Sequence, residues 1–381
     1  GHGSVSAFLR SVFECAGLKT GMFTSPHLVD FRERIQVQGD MISKADTTRL
    51  GNRLLSMDFG VYPTMFDYCL AMALLYFKEQ QCDVVILETG LGGTYDSTNA
   101  CGVPDVTVIA KIGFDHMAIL GDTLAKIAAE KAGIIKHGTA LVLESQEKEA
   151  MDVLNKAAER ADIKTTKVVN LDEIRILPQK DGKQCFSYAG YDAVTMKMLG
   201  VHQYENAVAA MLAAELFFEK YFAGKKNVPE LKALQHAIRE GIDRTQWMGR
   251  MELVSNDPFF LMDGAHNSNG VEALKKSLET MYPDEKFHFI MGVMADKDYG
   301  EMIRELLPLA LDFKTVTVES ERALQGEALA DCIRAKGIPA EAYRNLEDVL
   351  PDFSKSSAEK TVAFGSLYFI GEIEAFLRGK Q

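Results

Sequence analysis

A chain of 381 residues exceeds what one hydrophobic core ordinarily supports, so two domains are expected. Its composition (47% hydrophobic, 25% charged, net charge −12) is that of an ordinary folded protein and argues against nonspecific nucleic-acid binding, which needs a basic surface. No apolar stretch approaches the ~20 residues needed to span a bilayer, and six scattered cysteines with no C-x-x-C pair point to reduced thiols in the cytoplasm, without a disulfide framework or zinc site.

Ser4 to Gly17 sets Val5, Phe8, Leu9, Val12 and Phe13 on one apolar face, which predicts a helix ending at a glycine. Lys19 to Thr24 predicts a strand, and Ser25 to Gln38 a charged loop or bent strand pair. Ser43 is placed to cap a helix reaching Met57, and Thr64 to cap one over Met65–Glu79. The run Asp83-Val-Val-Ile-Leu87 predicts a buried parallel strand that delivers Glu88 into a turn rich in glycine, Thr89 to Gly93. Val106 to Ile109 predicts the next strand, opening into Gly113-Phe-Asp-His116. Ligands in open α/β sheets sit outside the carboxyl ends of the strands. Glu88 and His116, delivered by consecutive strands, are therefore candidates to hold one divalent cation beside a phosphate.

Asp122 or Thr123 starts a helix containing Glu130 and Lys131, and the β/α alternation runs on through Ala140–Glu144, a helix to about Ala161, and Lys167–Asn170. Residues 173–198 break the rhythm and predict a small antiparallel appendage, followed by helices over Tyr204–Tyr221 and Pro229–Gly241. After Trp247-Met-Gly-Arg250 the alternation restarts, with strands near 259–262, 287–291, 314–318 and 361–364. The boundary is expected near 245–250. The fold class is α/β: a mostly parallel-sheet N-terminal domain over 1–246 and a smaller Rossmann-like C-terminal domain over 250–381.

Several motifs, in order, carry a family resemblance: Thr24-Ser-Pro-His-Leu28 with Phe31-Arg-Glu-Arg-Ile35, Glu88-Thr-Gly-Leu-Gly-Gly93, Asp96-Ser-Thr-Asn99, Asp115-His116, and Glu130-Lys-Ala-Gly-Ile-Ile-Lys136. Gly200-Val-His-Gln203 with Asn206, Trp247-Met-Gly-Arg250, Asp263-Gly-Ala-His-Asn267, Asp296-Lys-Asp298 and Gly365-Ser-Leu367 continue the series. Each is weak alone; together they resemble the folylpolyglutamate synthase/dihydrofolate synthase family of the Mur ligase superfamily. The resemblance implies a P-loop-type ATP-binding first domain and a glutamate ligase second domain. It implies ATP- and Mg²⁺-dependent addition of L-glutamate to a folate or dihydropteroate carboxylate, through an acyl phosphate. The partners are then small molecules, with no nucleic acid or membrane, and the protein a monomer.

By the same resemblance Glu88 and His116, with Ser25, are metal ligands, and Lys131 is a lysine carbamylated by CO₂. Gly3 and Ser4 look like the end of a phosphate loop whose family pattern is G-T-N-G-K-G-S; His2 stands at its lysine. A polypeptide with half this loop is expected to turn over ATP poorly. Asn206, Arg250, Asp263 and Lys297 fall to the nucleotide, His266 to catalysis, and His27 and Ser366 to the other substrates. Plainer readings stand beside these: a structural ion pair for Glu88, a core histidine at 116, a surface helix cation at 131, turn or cap roles for Asp263, Asn267 and Ser366, a solvated charge run at Lys297. Thr94 and Val201 occupy positions where the family has arginine. Rival readings are a muramyl-peptide ligase and a catalytically silent homologue acting as a binding module.

Overall fold

The computed structural model describes residues 1–379. The chain divides into two compact units, 1–197 with 203–246, and 198–202 with 247–381. Among the described residues no helix is long and apolar enough to cross a membrane, and all six cysteines are free thiols.

The first unit opens with α1 (His2–Cys15), whose apolar face carries the buried Val5, Phe8, Val12 and Phe13. Then follow β1 (Thr20–Phe23), β2 (Ile35–Val37), β3 (Asp40–Met41), α2 (Lys44–Leu55), α3 (Met65–Glu79) and β4 (Val84–Leu87). Ser43 caps α2 by accepting the Asp46 amide, and Thr64 caps α3 in a reciprocal box with Asp67. β4 lies parallel to β1, while β2 and β3 extend the sheet antiparallel in the order β3-β2-β1-β4. A second, parallel sheet is built from β5 (Val106–Ile109), β6 (Ala140–Leu143) and β7 (Thr166–Val168). Between its strands run α4 (Met117–Leu120), α5 (Leu124–Ala132) and α6 (Lys148–Arg160). β4 and β5 therefore belong to separate hydrogen-bonded sheets, although they are consecutive strands.

The appendage is an antiparallel meander of β8 (Arg175–Lys180), β9 (Lys183–Tyr188) and β10 (Tyr191–Met196). α7 (His202–Phe222) and α8 (Leu231–Arg244) follow. α8 rests directly on α1: a Cβ at Gly241 would lie 2.4 Å from the Val12 Cα, so this backbone approach admits glycine alone. Phe13 packs on the ring of Phe217 from α7 at 4.7 Å between centroids.

The second unit is one six-stranded sheet, ordered β11-β12-β16-β13-β14-β15. Its strands are β11 (Glu252–Asn256), β12 (Phe259–Met262), β13 (Phe287–Met291), β14 (Ala310–Val316), β15 (Ala340–Tyr343) and β16 (Lys360–Phe364). β11 is antiparallel to β12; the other pairs are parallel. The helices α9 (Ser268–Met281), α10 (Tyr299–Leu306), α11 (Gly326–Arg334) and α12 (Leu367–Gly379) supply the crossovers and close the chain. β12, β13 and β16 are nearly wholly buried and dominated by Phe, Ile, Met and Val, as a parallel sheet covered on both faces requires. This is the expected α/β architecture, with a Rossmann-like second unit. Two strands exceed the expectation, β11 and β15, both along the sheet edges where burial is partial.

Candidate active-site residues in the two units

In the first unit Glu88 follows β4 and is 5% exposed. One carboxylate oxygen accepts the Ser25 amide at 2.9 Å, and the other meets the His2 ring at Nδ1. The parallel register of β1 with β4 produces this pairing, because it sets the ends of both strands, Phe23 and Leu87, side by side. Beyond β4 the glycine turn is tied down by Asp96, one of whose oxygens accepts the Gly90 and Leu91 amides, both at 3.0 Å.

His27 accepts the Arg34 Nε–H at Nδ1, at 2.9 Å, and burial beside that guanidinium lowers its basicity. The loop that carries Ser25 and His27 is gathered by Glu33, whose carboxylate accepts the amides of Leu28, Val29 and Asp30. This is the stretch expected as a charged loop or bent strand pair. The signal was there in Asp30-x-x-Glu33, a reciprocal capping box.

His116 sits past the end of β5, at the N-cap of α4, with a left-handed backbone (φ 48°) that non-glycine residues seldom adopt. Its amide bonds the Asp115 carboxylate at 2.9 Å. Lys131 lies in the last turn of α5; burial lowers its pKa, against the opposing pull of Asp115 and Asp96. Gly3 and Ser4 are buried in the first turn of α1. The Ser4 hydroxyl accepts from the Gln203 amide at 3.3 Å, and Asn206 donates to the Gln203 oxygen at 2.8 Å. Gln203 is thus the joint between two residues singled out from sequence, three positions before Asn206 on one face of α7.

In the second unit the ends of β12 and β16 meet. Asp263 donates its amide to the Ala363 carbonyl, and Gly365 donates its own to the Ala265 carbonyl, each at 2.9 Å. Asp263 is 7% exposed and accepts the Met251 and Ala265 amides, both at 2.8 Å. Burial raises its pKa, with Arg250 and those two amides opposing the rise. A Cβ on Gly264 would fall 2.6 Å from the Arg250 guanidinium, so this glycine makes the room in which Arg250 lies. The His266 Nδ1 is 2.8 Å from the Gly264 carbonyl, which can only accept, so Nδ1 is the donor of this contact. Asn267 caps α9 by accepting the Gly270 amide. Ser366 accepts the Tyr368 amide at 3.1 Å. Arg250, Asp263, His266 and Ser366 thereby cluster around two adjacent strand ends. Lys297 stands in the turn before α10; its neighbour Asp296 is engaged by Arg322 at 2.9 Å.

The Mur ligase middle domain profile matches residues 51–214, and the Mur ligase glutamate ligase domain profile matches residues 249–364. Fold and matched domains together define a Mur-type ligase. The chain is 36% identical, over 99% of its length, to the dihydrofolate synthase/folylpolyglutamate synthase of Bacillus subtilis (strain 168), of which it covers 88%. It is 29% identical over its whole length to the folylpolyglutamate synthase of Lacticaseibacillus casei, again covering 88%. Among solved structures, E. coli FolC in complex with DHPP and ADP matches with a TM-score of 0.84 at 26% identity, over 100% of this chain and 87% of that one. Mycobacterium tuberculosis folylpolyglutamate synthase complexed with ADP and AMPPCP matches with a TM-score of 0.85 at 28% identity, over 99% and 88%. The chain belongs to the folylpolyglutamate synthase/dihydrofolate synthase family.

Proposed function

We propose that this protein uses ATP to join the amine of L-glutamate to the carboxylate of a folate or of dihydropteroate. A carboxylate oxygen of the acceptor attacks the γ-phosphorus of ATP, ADP leaves, and an acyl phosphate forms. The glutamate nitrogen then attacks the acyl carbon, the C–O bond breaks with its electrons on phosphate, and the nitrogen gives up a proton. The first step brings two anions together, so fixed positive charge and N–H donors must meet them. We assign Gly3 and Ser4, at the head of α1, and Asn206 to the nucleotide, where helix amides favour phosphate. In the second unit Arg250, Asp263 and Lys297 are assigned to the nucleotide and Ser366 to the glutamate carboxylate. His27 is assigned to the folate or dihydropteroate. His266, with its proton held on Nδ1, takes the amine proton at Nε2.

Glu88 carries this reading: a buried carboxylate at a strand end, beside the amide of Ser25. Such a set fits Mg²⁺, which takes one or two carboxylates and fills the rest of its shell with water and substrate phosphate. Glu88, Ser25 and His116 would hold the ion, and its chemistry there is to offset charge on the phosphates. Lys131, kept short of full basicity by burial, is proposed to carry a carbamate that helps orient that ion. The enzyme is proposed to act as a cytoplasmic monomer on small molecules, with no nucleic-acid or membrane partner.

The test is incorporation of radiolabelled L-glutamate with ATP and either dihydropteroate or tetrahydrofolate as acceptor. Labelled product that requires both ATP and an acceptor is expected. No incorporation with either acceptor overturns the reading.

A further inference from the structure

The C-terminal end of α5, where Lys131 sits, is held by a device that the reaction outlined above does not use. The last carbonyls of a helix lack the regular helical partner; here the Glu130 carbonyl takes the Gly133 amide at 3.3 Å, and groups from the turn after the glycine loop add to it. Thr94 donates twice to the Glu130 carbonyl, from its amide at 3.0 Å and its hydroxyl at 3.1 Å. The Asn99 side-chain amide donates to the Gly133 carbonyl at 3.1 Å and to the Thr94 carbonyl at 3.2 Å. Lys136, just beyond the helix, reaches back to the Asn99 carbonyl and to the Gly102 carbonyl at 2.8 Å. The two segments are in backbone contact. A Cβ on Gly93 would lie 2.7 Å from the Glu130 oxygen and 3.1 Å from the Lys131 Cα, and one on Gly133 only 2.2 Å from the Thr94 hydroxyl. Residues on both sides of Lys131 are therefore pinned to the same turn. Asp96, in that turn, also faces Lys131 and holds the glycine-loop amides.

We propose that Asn99, together with Thr94 and Lys136, is a positioning residue that holds Lys131 in the one place where it can be carbamylated. The inference rests on the reading that Lys131 reacts with CO₂. In that step the neutral amine nitrogen bonds the carbon of CO₂, one C=O electron pair moves to oxygen, and the nitrogen releases a proton to water. A lysine on a loosened helix end turns toward solvent, regains full hydration as an ammonium ion, and loses the nucleophilic lone pair. The hydrogen bonds to Glu130 and Gly133 prevent that turning.

The experiment is ¹³C NMR of the protein in ¹³C-bicarbonate at neutral pH. The variants are Lys131→Ala, Asn99→Ala, Thr94→Val and Thr94→Ser, each checked by circular dichroism and thermal unfolding. The wild type is expected to show a carbamate resonance that Lys131→Ala lacks. Asn99→Ala and Thr94→Val are expected to reduce it roughly tenfold, the scale on which outer partners act on a site. Thr94→Ser, which keeps the hydroxyl, is expected to retain it. Thr94→Val differs from Thr94→Ser at an exposed turn position, so this comparison stands even if Asn99→Ala fails to fold. A wild type indistinguishable from Lys131→Ala removes the carbamate itself. A full resonance in folded Asn99→Ala and Thr94→Val overturns the clamp alone.

Discussion

Glu88 has a use for each carboxylate oxygen, and neither use is packing: one takes the Ser25 amide and the other the His2 ring. Glu88→Gln keeps shape and most hydrogen bonding but removes the charge. It is expected to lower ATP-dependent glutamate incorporation by at least about 100-fold while shifting the unfolding temperature little; a near-normal rate would leave Glu88 a structural residue. His266→Ala is likewise expected to cost about 10²–10⁴ in kcat with a modest change in stability, as loss of a proton acceptor does. Glu144 tells a different story. It is 1% exposed, accepts the Lys111 amide at 2.6 Å with one oxygen, and has no partner for the other among the described residues. Burial, reinforced by Glu205, pushes its pKa up to about 7. Since an unfolded carboxyl titrates near the ordinary carboxylate value, the folded state prefers the proton. That preference is fully present below the unfolded pKa and is lost as pH rises toward 7, by roughly 3 kcal/mol at most. Glu144→Gln is expected to flatten this loss, so that its unfolding temperature exceeds the wild type's at pH 8 by more than at pH 5. Equal differences at both values would contradict the assignment.

At the scale of elements, caps and buried strands were the legible part. Thr64 and the apolar run after it define α3, and Asp83-Val-Val-Ile-Leu87 defines β4, because a polar cap and a β-branched run are local signals. β11 and β15 were not legible: Glu252–Asn256 and Ala340–Tyr343 have mixed exposure and little β-branching, and they become strands through the neighbours they pair with. The same holds for the joint of α1 and α8. Nothing local marks Gly241 as more than a tolerated helix glycine, yet its neighbour is the Val12 backbone, which cannot yield as a flexible side chain would. Gly241→Ala is expected to destabilise the protein by about 1–3 kcal/mol despite alanine's better helix propensity, read by thermal or urea unfolding. Unchanged or raised stability would show that the two helices can move apart. Within the site, strand ends delivered Glu88 and Asp263 as read from sequence; the Ser4–Gln203–Asn206 chain was not legible, because it joins residues far apart along the chain.

For the whole molecule, the two units each bring chemically distinct groups: in the first a buried carboxylate at the end of β4 and, at the end of α5, a lysine of lowered basicity, and in the second an Arg–Asp–His–Ser group. In the function proposed above both sets are assigned to one reaction, whose defining step is transfer of a phosphoryl group to the acceptor carboxylate. Oxygen follows that step directly: the carboxylate oxygen that attacks phosphorus stays with phosphate when the amine displaces it. The decisive measurement uses dihydropteroate or tetrahydrofolate labelled with ¹⁸O in the acceptor carboxylate, with ATP and L-glutamate, and mass analysis of the phosphate released. Transfer of one carboxylate oxygen into phosphate for each amide formed is the predicted result. Amide formation with no labelled phosphate would contradict the acyl-phosphate route and the roles assigned around it.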